Sequence, residues 1–290
     1  MELNNLKAFI TVADCASFSA AAEKLHLTQP AVSKRIAALE SALDAPLFDR
    51  IGRRIRLTEP GAALLPVARR ICSDLTQIQQ TIASLGQNVA GKLSIGTSHH
   101  IGLHRLPALL REFTARYPEV EMDLHFMDSE DACAAVEANS LELAVVTLPE
   151  SPFPNLQTRL IWNDPLLIAT DPDHPLTRKK NPQPSDLADY PAIVPSRETV
   201  TRQVLDKALL PFGIKPRVAM ETNYIETIKM MVSVGLGWGA IPQTMIGDEL
   251  VIIQVKRLKL ARKLGLVTHK QRSLSAAAQA FIGLLEKAAD

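Results

Sequence analysis

The sequence predicts an α/β protein with an all-α, winged domain at its N-terminus and a long helix after it. Three patterns predict this architecture. Residues 1–58 contain short helical periods separated by tight turns, residues 59–90 carry a heptad of apolar side chains, and residues 91–290 alternate strands with helices. We expect the last part to form two subdomains, I (about 91–163 and 266–290) and II (about 164–265).

Two predicted helices near the N-terminus are joined by a turn of only three residues, His26–Thr28. Ser19 is a candidate N-cap for the first helix, and Thr28 is a candidate for the second, where Pro30 is tolerated in the first turn. The second helix should run to about Leu43. Its inward-facing side chains should be Val32, Ile36, Leu39 and Leu43. Two helices joined so tightly predict a helix-turn-helix.

A basic segment follows at the distance expected of a wing. Gly52 permits a turn, and Arg54–Leu57 alternates polar and apolar residues as a short strand would. The arginines of this segment are Arg50, Arg53, Arg54 and Arg56. A run of like charges is usually a solvated face. Directly after a helix-turn-helix, however, we expect it to contact the phosphates or the minor groove of DNA.

The second helix of the pair carries polar side chains in its N-terminal turns, the end that a recognition helix presents to the major groove. Gln29 can form paired hydrogen bonds with adenine, and Ser33 can contact a base or a phosphate. Lys34 or Arg35 can form hydrogen bonds with guanine or with a phosphate. The expected DNA-binding residues are Thr28, Gln29, Pro30, Ser33, Lys34 and Arg35, together with the four wing arginines.

The long helix, which Thr58 should cap, carries one apolar stripe. Its members are spaced alternately by four and three residues: Leu64, Ala68, Ile71, Leu75, Ile78, Ile82 and Leu85. A heptad sustained over three repeats predicts a coiled-coil face and therefore a homodimer. The alternative is an amphipathic helix packed on its own chain.

These N-terminal motifs closely resemble those of the LysR-type transcriptional regulators. The resemblance is carried by Ser17–Ala22, Leu25–Ser33, Leu47–Arg50 and Arg56–Thr58, and it continues more loosely to the C-terminus. It implies a winged helix-turn-helix, a linker helix that dimerises, and a C-terminal effector-binding domain like a periplasmic binding protein. It also implies a homotetramer that binds a double-stranded DNA operator, contacts RNA polymerase and responds to a small-molecule co-inducer.

The resemblance further implies an effector cleft between the two subdomains, at helix N-termini whose free N–H groups suit anions. The corresponding residues are Thr97, Ser98, His99, His100, Ser129 and Thr147 in subdomain I, and Ser196, Thr199, Thr201, Thr222 and Asn223 in subdomain II. His99 and His100 depart from the small residues common there, and adjacent histidines favour an anionic effector, such as a carboxylate. His104 makes a metal conceivable, but no acidic or cysteine partner lies nearby in the sequence, so we expect no metal.

Net charge, apolar runs and cysteine spacing limit which other classes of function are possible. The net charge of +1 does not by itself indicate nucleic-acid binding, so that inference depends on where the charges cluster. Residues 1–5 lack an export signal, no apolar run reaches a membrane span, and the cysteines form no CxxC pair, so we expect a reduced, cytoplasmic protein without a membrane partner. One alternative is a solute-binding transport protein, which the helix-turn-helix disfavours. Another is an enzyme using His99 or His100 as general base, but no catalytic triad is recognisable, so we expect no catalytic residue and no cofactor.

Overall fold

The computed structural model describes residues 2–51, 54–84, 89–150 and 153–289, without the side chains of residues 50, 51, 54, 73 and 76–84. The chain divides into two compact units. The first comprises Met1–Gln87 with Ala138–Ser140, and the second is built from Asn88–Glu137 and Leu141–Asp290. Within the described residues, no helix combines the length and the apolar character needed to cross a bilayer.

Three helices open the first unit: α1 (Leu3–Cys15), α2 (Phe18–Lys24) and α3 (Gln29–Leu43). Thr28 caps α3 as predicted, because its hydroxyl accepts a hydrogen bond from the amide of Ala31. The predicted cap of α2 was wrong. Ser17, rather than Ser19, accepts from the amide of Ala20 and begins the helix two residues earlier. The helix-turn-helix is therefore present with a shifted first helix.

The three helices enclose a core in which Phe9, Val32, Ile36 and Leu39 are all fully buried. Leu43, predicted to face inward, is instead 40% exposed at the end of α3. The helix ends there because the next residue adopts a left-handed conformation, so the last turn extends past the core.

The predicted wing is a two-stranded antiparallel hairpin, β1 (Phe48–Ile51) and β2 (Arg54–Leu57). The helix α4 (Glu59–Ser84) follows, and Thr58 caps it by accepting from the amide of Gly61. The first part of the heptad stripe packs on its own chain: Ala68 is buried in the core of this unit, with Leu64 and Ile71 against it. Leu75 is 39% exposed. Ile78, Ile82 and Leu85 lie outside the described side chains.

The second unit alternates strands and helices, as predicted. Its elements are β3 (Gly91–Thr97), α5 (His99–His104), α6 (Pro107–Arg116), β4 (Val120–Phe126), α7 (Ser129–Glu137), β5 (Leu143–Thr147), β6 (Leu156–Thr170), β7 (Pro191–Val194), α8 (Val200–Leu209), β8 (Arg217–Glu221), α9 (Ile225–Ser233), β9 (Gly239–Pro242), β10 (Val251–Ile252), β11 (Leu260–His269) and α10 (Ala276–Lys287). The single helix expected over 103–117 is two helices, because Pro107 begins a new one.

The main sheet has the order β10-β6-β11-β5-β3-β4, with β9 also paired to β6. Within this sheet the parallel pairs are β3–β4 and β3–β5, whereas β6 and β11 are antiparallel to their neighbours, so the expected mainly parallel sheet is in fact mixed. These two long strands cross the boundaries expected between the two subdomains, near residues 163 and 265. They bring Asp164 of β6 and Arg262 of β11 directly opposite each other.

Candidate functional site

One candidate site is the outward face of α3 in the first unit. Thr28, Gln29, Pro30 and Lys34 are exposed, while Ser33 and Arg35 are half-buried. Gln29 and Ser33 lie one turn apart and therefore project from the same side of the helix, next to the stripe through which Val32 and Ile36 are buried in the core. This arrangement presents polar side chains at the N-terminal end of a rigid helix.

The wing is held against the helix-turn-helix by contacts that sequence reasoning missed. The carboxylate of Glu40 on α3 accepts from the amide of Leu47 at 2.8 Å, and the hydroxyl of Thr58 donates to the carbonyl of Pro46 at 2.6 Å. Gly61 permits the close approach of α4, since a Cβ there would lie 2.2 Å from the carbonyl oxygen of Leu47. Arg56 is exposed on β2. The side chains of Arg50, Arg53 and Arg54 lie outside the described residues.

A second candidate site is a narrow pocket in the second unit, between α5 and α7 of one subdomain and α8 and α9 of the other. About 40 Å³ of solvent-sized space remains in it. Of the predicted effector residues, those lining it are Ser98, His99, His100, Ser129, Thr147, Thr199, Thr201 and Asn223. Three charged residues that the sequence did not predict also line the pocket: Asp128, Glu130 and Arg262.

Thr97, Ser196 and Thr222, also predicted to contact the effector, do not line this pocket. The hydroxyl of Thr97 is buried and donates to the carbonyl of Val145 at 2.8 Å, which serves the sheet. Thr222 accepts weakly from the amide of Tyr224. The backbone amide of Ser196 donates to the side chain of Asn223, so this turn positions a pocket residue without facing the pocket itself.

Arg262 is the buried cation of the pocket. Its Nε donates to Asp164 at 2.7 Å and its Nη1 to the hydroxyl of Thr201 at 2.9 Å, but its buried Nη2 has no hydrogen-bond partner among the described residues. Burial lowers the pKa of Arg262, although Asp164 opposes that shift, and a guanidinium remains charged in proteins. Arg262 therefore brings to the pocket lining a guanidinium of which one nitrogen has no acceptor among the described residues.

Two hydrogen bonds cross the pocket between the subdomains. Glu130 accepts from the amide of Val200 at 2.8 Å, and the side-chain amide of Asn223 donates to Asp128 at 2.7 Å. The first places a carboxylate of the chain itself at the N-terminus of α8, where helix N–H groups attract anions. The pocket thus already holds an internal anion at the position where an anionic ligand is expected to bind.

His100 contributes a neutral imidazole. Burial, followed by the nearby charges of Arg262, His104 and Arg105, lowers its pKa from 6.5 to about 3. Neither ring nitrogen has a hydrogen-bond partner among the described residues. The positive charge that the adjacent histidines were expected to supply therefore comes from Arg262. His99 remains half-buried between the rings of Phe126 and Tyr224.

This low pKa predicts a pH-dependent stability. As the pH falls through 6.5, the unfolded chain protonates His100 whereas the folded chain keeps it neutral, so the folded state loses stability in that window. Between about pH 7 and pH 5, wild type should lose about 2 kcal/mol more of its unfolding free energy than a His100→Gln variant. Urea unfolding in metal-free buffer measures this difference. Parallel pH profiles of the two proteins would contradict the assigned neutral state.

Comparison with known proteins identifies the family to which the two units belong. Residues 3–62 match the model of the bacterial regulatory helix-turn-helix protein, lysR family, and residues 86–290 match the LysR substrate binding domain. A probable RuBisCO transcriptional regulator of Cyanidioschyzon merolae is 32% identical over 96% of this chain and 95% of its own length.

Two solved structures share the whole fold. A full-length OxyR variant from Pseudomonas aeruginosa superposes with a TM-score of 0.74 at 22% identity, covering 99% of this chain and 94% of its own. Full-length CbnR in complex with its target DNA superposes with a TM-score of 0.68 at 21% identity, covering 100% of both chains. With both domain models matched in order, this chain belongs to the LysR family of DNA-binding transcription regulators.

Proposed function

We propose that the pocket binds a small anionic effector, such as a carboxylate, whose charge pairs with Arg262. The observation that carries this proposal is the free Nη2 of Arg262, a buried cationic donor without an acceptor among the described residues. An unsatisfied buried donor costs about 1–3 kcal/mol, and more when it is charged, so the pocket favours a ligand that supplies an acceptor. The hydroxyls of Ser98 and Thr199 then complete the ligand's hydrogen bonds.

Binding of such an anion changes the contacts between the subdomains. The ligand competes with Glu130 for the N-terminus of α8, and it repels the carboxylate of Asp128 that accepts from Asn223. Because these contacts cross the pocket, the bound and free forms favour different subdomain arrangements. A ligand alters DNA binding only through such a difference in affinity between arrangements. The chain binds its effector without converting it and needs no cofactor.

A thermal-shift screen of the full chain tests this proposal. The panel is a set of small carboxylates, each paired with its neutral amide, with inorganic phosphate and sulfate alongside. We expect carboxylates to raise the melting temperature and the amides to have no effect. Arg262→Lys, which keeps the charge but loses the planar fork, should weaken binding about tenfold to hundredfold. Lys263→Met is the matched control, because this exposed cation is its neighbour on β11. Equal stabilisation by acids and amides, or wild-type affinity in Arg262→Lys, would overturn the proposal.

We also propose that α3 and the wing make the DNA contacts expected from the sequence, with Gln29, Ser33 and Lys34 in the major groove. The exposure of Gln29 and Lys34 in the N-terminal turns of α3, with Ser33 half-buried beside them, supports this assignment. We also propose that the chain dimerises through α4 and that the coiled-coil contact is shorter than the heptad pattern predicted. Leu75 is available for it, whereas Ala68 is already buried within its own chain. Assembly of two dimers into a tetramer is part of the same proposal.

A further inference from the structure

Two histidines and a glutamate converge where α5 meets α9. His100 and His104 are four residues apart on α5 and therefore lie on one face of the helix. Glu226 comes from the first turn of α9, in the other subdomain. One candidate ligand atom from each residue lies within 4.8 Å of the other two.

His100 is the unusual member of this cluster. It is 3% exposed, and both of its ring nitrogens are buried without a hydrogen-bond partner among the described residues. Its imidazole is neutral, so one nitrogen carries a lone pair that nothing in its surroundings uses. A buried polar group without a partner costs free energy of folding, and a bound metal ion would supply the missing partner.

The remaining geometry is close to that of a coordination site. His104 Nε2 and Glu226 Oε1 are 3.1 Å apart, near the roughly 3.3 Å that separates two ligands of a tetrahedral zinc ion. Both side chains are partly exposed and can rotate to close the longest distance. Their exposure also provides an entry path from solvent.

Asp164 is placed to become the supporting partner that metal-bound histidines usually have. Its Oδ2 is fully buried and lies 3.9 Å from Nε2 of His100, so a small ring movement lets His100 donate one N–H to it. Two guanidinium groups lie nearby and oppose a cation. Both of them, Arg262 and Arg105, are already paired with Asp164, which reduces their effect.

The geometry points to a site for a divalent transition metal of intermediate hardness, such as Zn²⁺, held by His100, His104 and Glu226. Two imidazoles and one carboxylate form a three-ligand set that leaves a fourth position open. The sequence predicted no metal because no acidic or cysteine partner lies near the histidines along the chain. Glu226 lies 122 residues beyond His104 and approaches it only in the folded structure. An ion here would tie α5 of one subdomain to α9 of the other.

Calorimetric titration of Zn²⁺ into the full chain, freed of metal by a chelator, tests this site. We expect one equivalent per chain and a higher melting temperature. His104→Gln and Glu226→Gln each remove one ligand from a partly exposed position. Each should weaken Zn²⁺ binding by about a hundredfold or more, which is more than the loss of a supporting contact would cause. His125→Gln is the matched control, because this half-buried histidine also pairs with a carboxylate, Asp123 at 3.0 Å.

Co²⁺ gives a second readout that does not depend on affinity. A visible ligand-field spectrum without a thiolate charge-transfer band supports two imidazoles and a carboxylate. A thiolate band would assign the metal to a cysteine and overturn the proposal, as would unchanged Zn²⁺ affinity in both His104→Gln and Glu226→Gln. Circular dichroism of each variant establishes that a lost site does not reflect lost folding. An absence of Zn²⁺ binding to the wild-type chain would also refute it.

Discussion

Replacing Asp164 with alanine should lower the free energy of unfolding of the second unit by about 3–5 kcal/mol. This carboxylate is fully buried and accepts hydrogen bonds from Arg262 and, at 3.4 Å, from Arg105. Removing it leaves the buried Arg262 without its ion partner, which costs far more than loss of an exposed pair. Urea unfolding measures the effect. Tryptophan fluorescence reports on the second unit alone, since Trp162 and Trp238 are the only tryptophans in the chain.

Two variants distinguish this explanation from a general sensitivity to lost carboxylates. Asp123→Ala removes a partly exposed carboxylate that pairs with Lys92 and His125, and it should cost about 1 kcal/mol or less. The double variant Asp164→Ala with Arg262→Met should recover part of the lost stability, because neither charge is then left alone. If Asp164→Ala costs no more than Asp123→Ala, the buried pair is not the source of the stability assigned to it.

Gln29→Ala should weaken binding to the operator by about 1–3 kcal/mol and leave binding to random DNA nearly unchanged. The reason is that Gln29 is exposed at the N-terminal end of α3 and can make a bidentate contact with adenine. Selection from a random duplex library with the wild-type chain supplies the operator. Fluorescence anisotropy at several salt concentrations then measures both affinities.

Arg56→Ala is the companion variant, because Arg56 is exposed on the wing strand β2. It should weaken operator and random duplexes alike and reduce the salt slope by about one phosphate contact. Equal weakening of both duplexes by Gln29→Ala would place this residue on the backbone. A change of base preference alone in Arg56→Ala would mean that the wing reads bases.

Local patterns predicted the first unit well. The Thr28 and Thr58 caps, the wing strand Arg54–Leu57 and the extent of α3 were confirmed, since capping and hydrophobic period depend on residues a few positions apart. The misplaced cap at Ser19 arose because Ser17 and Ser19 offer the same hydroxyl two residues apart. Only the backbone conformation of Ser17, which is extended, selects it.

Side chains near helix starts in the effector pocket, such as Ser98 and Thr199, could be inferred from their similarity to a family. The charged residues of the pocket could not be inferred in this way. Arg262 lies in the run Leu260–Lys263, where two apolar residues are followed by two basic ones and no alternation marks one of the basic residues as buried. It shares the buried face of β11 with Leu260 and Leu264, and the antiparallel strand β6 sets Asp164 opposite it. That pairing joins residues 98 positions apart, and no local pattern encodes it.

The sequence by itself determined that this chain is a DNA-binding regulator with an α/β effector domain, because helix caps, turns and motif residues are local. Only the tertiary structure decided the electrostatics of that domain. It buried Arg262 with one free donor, set Glu130 at the N-terminus of α8, and brought Glu226 to the two histidines of α5. Burial and the approach of distant charges control the ionisation and the ligand preference of these groups, and both arise only when the chain folds.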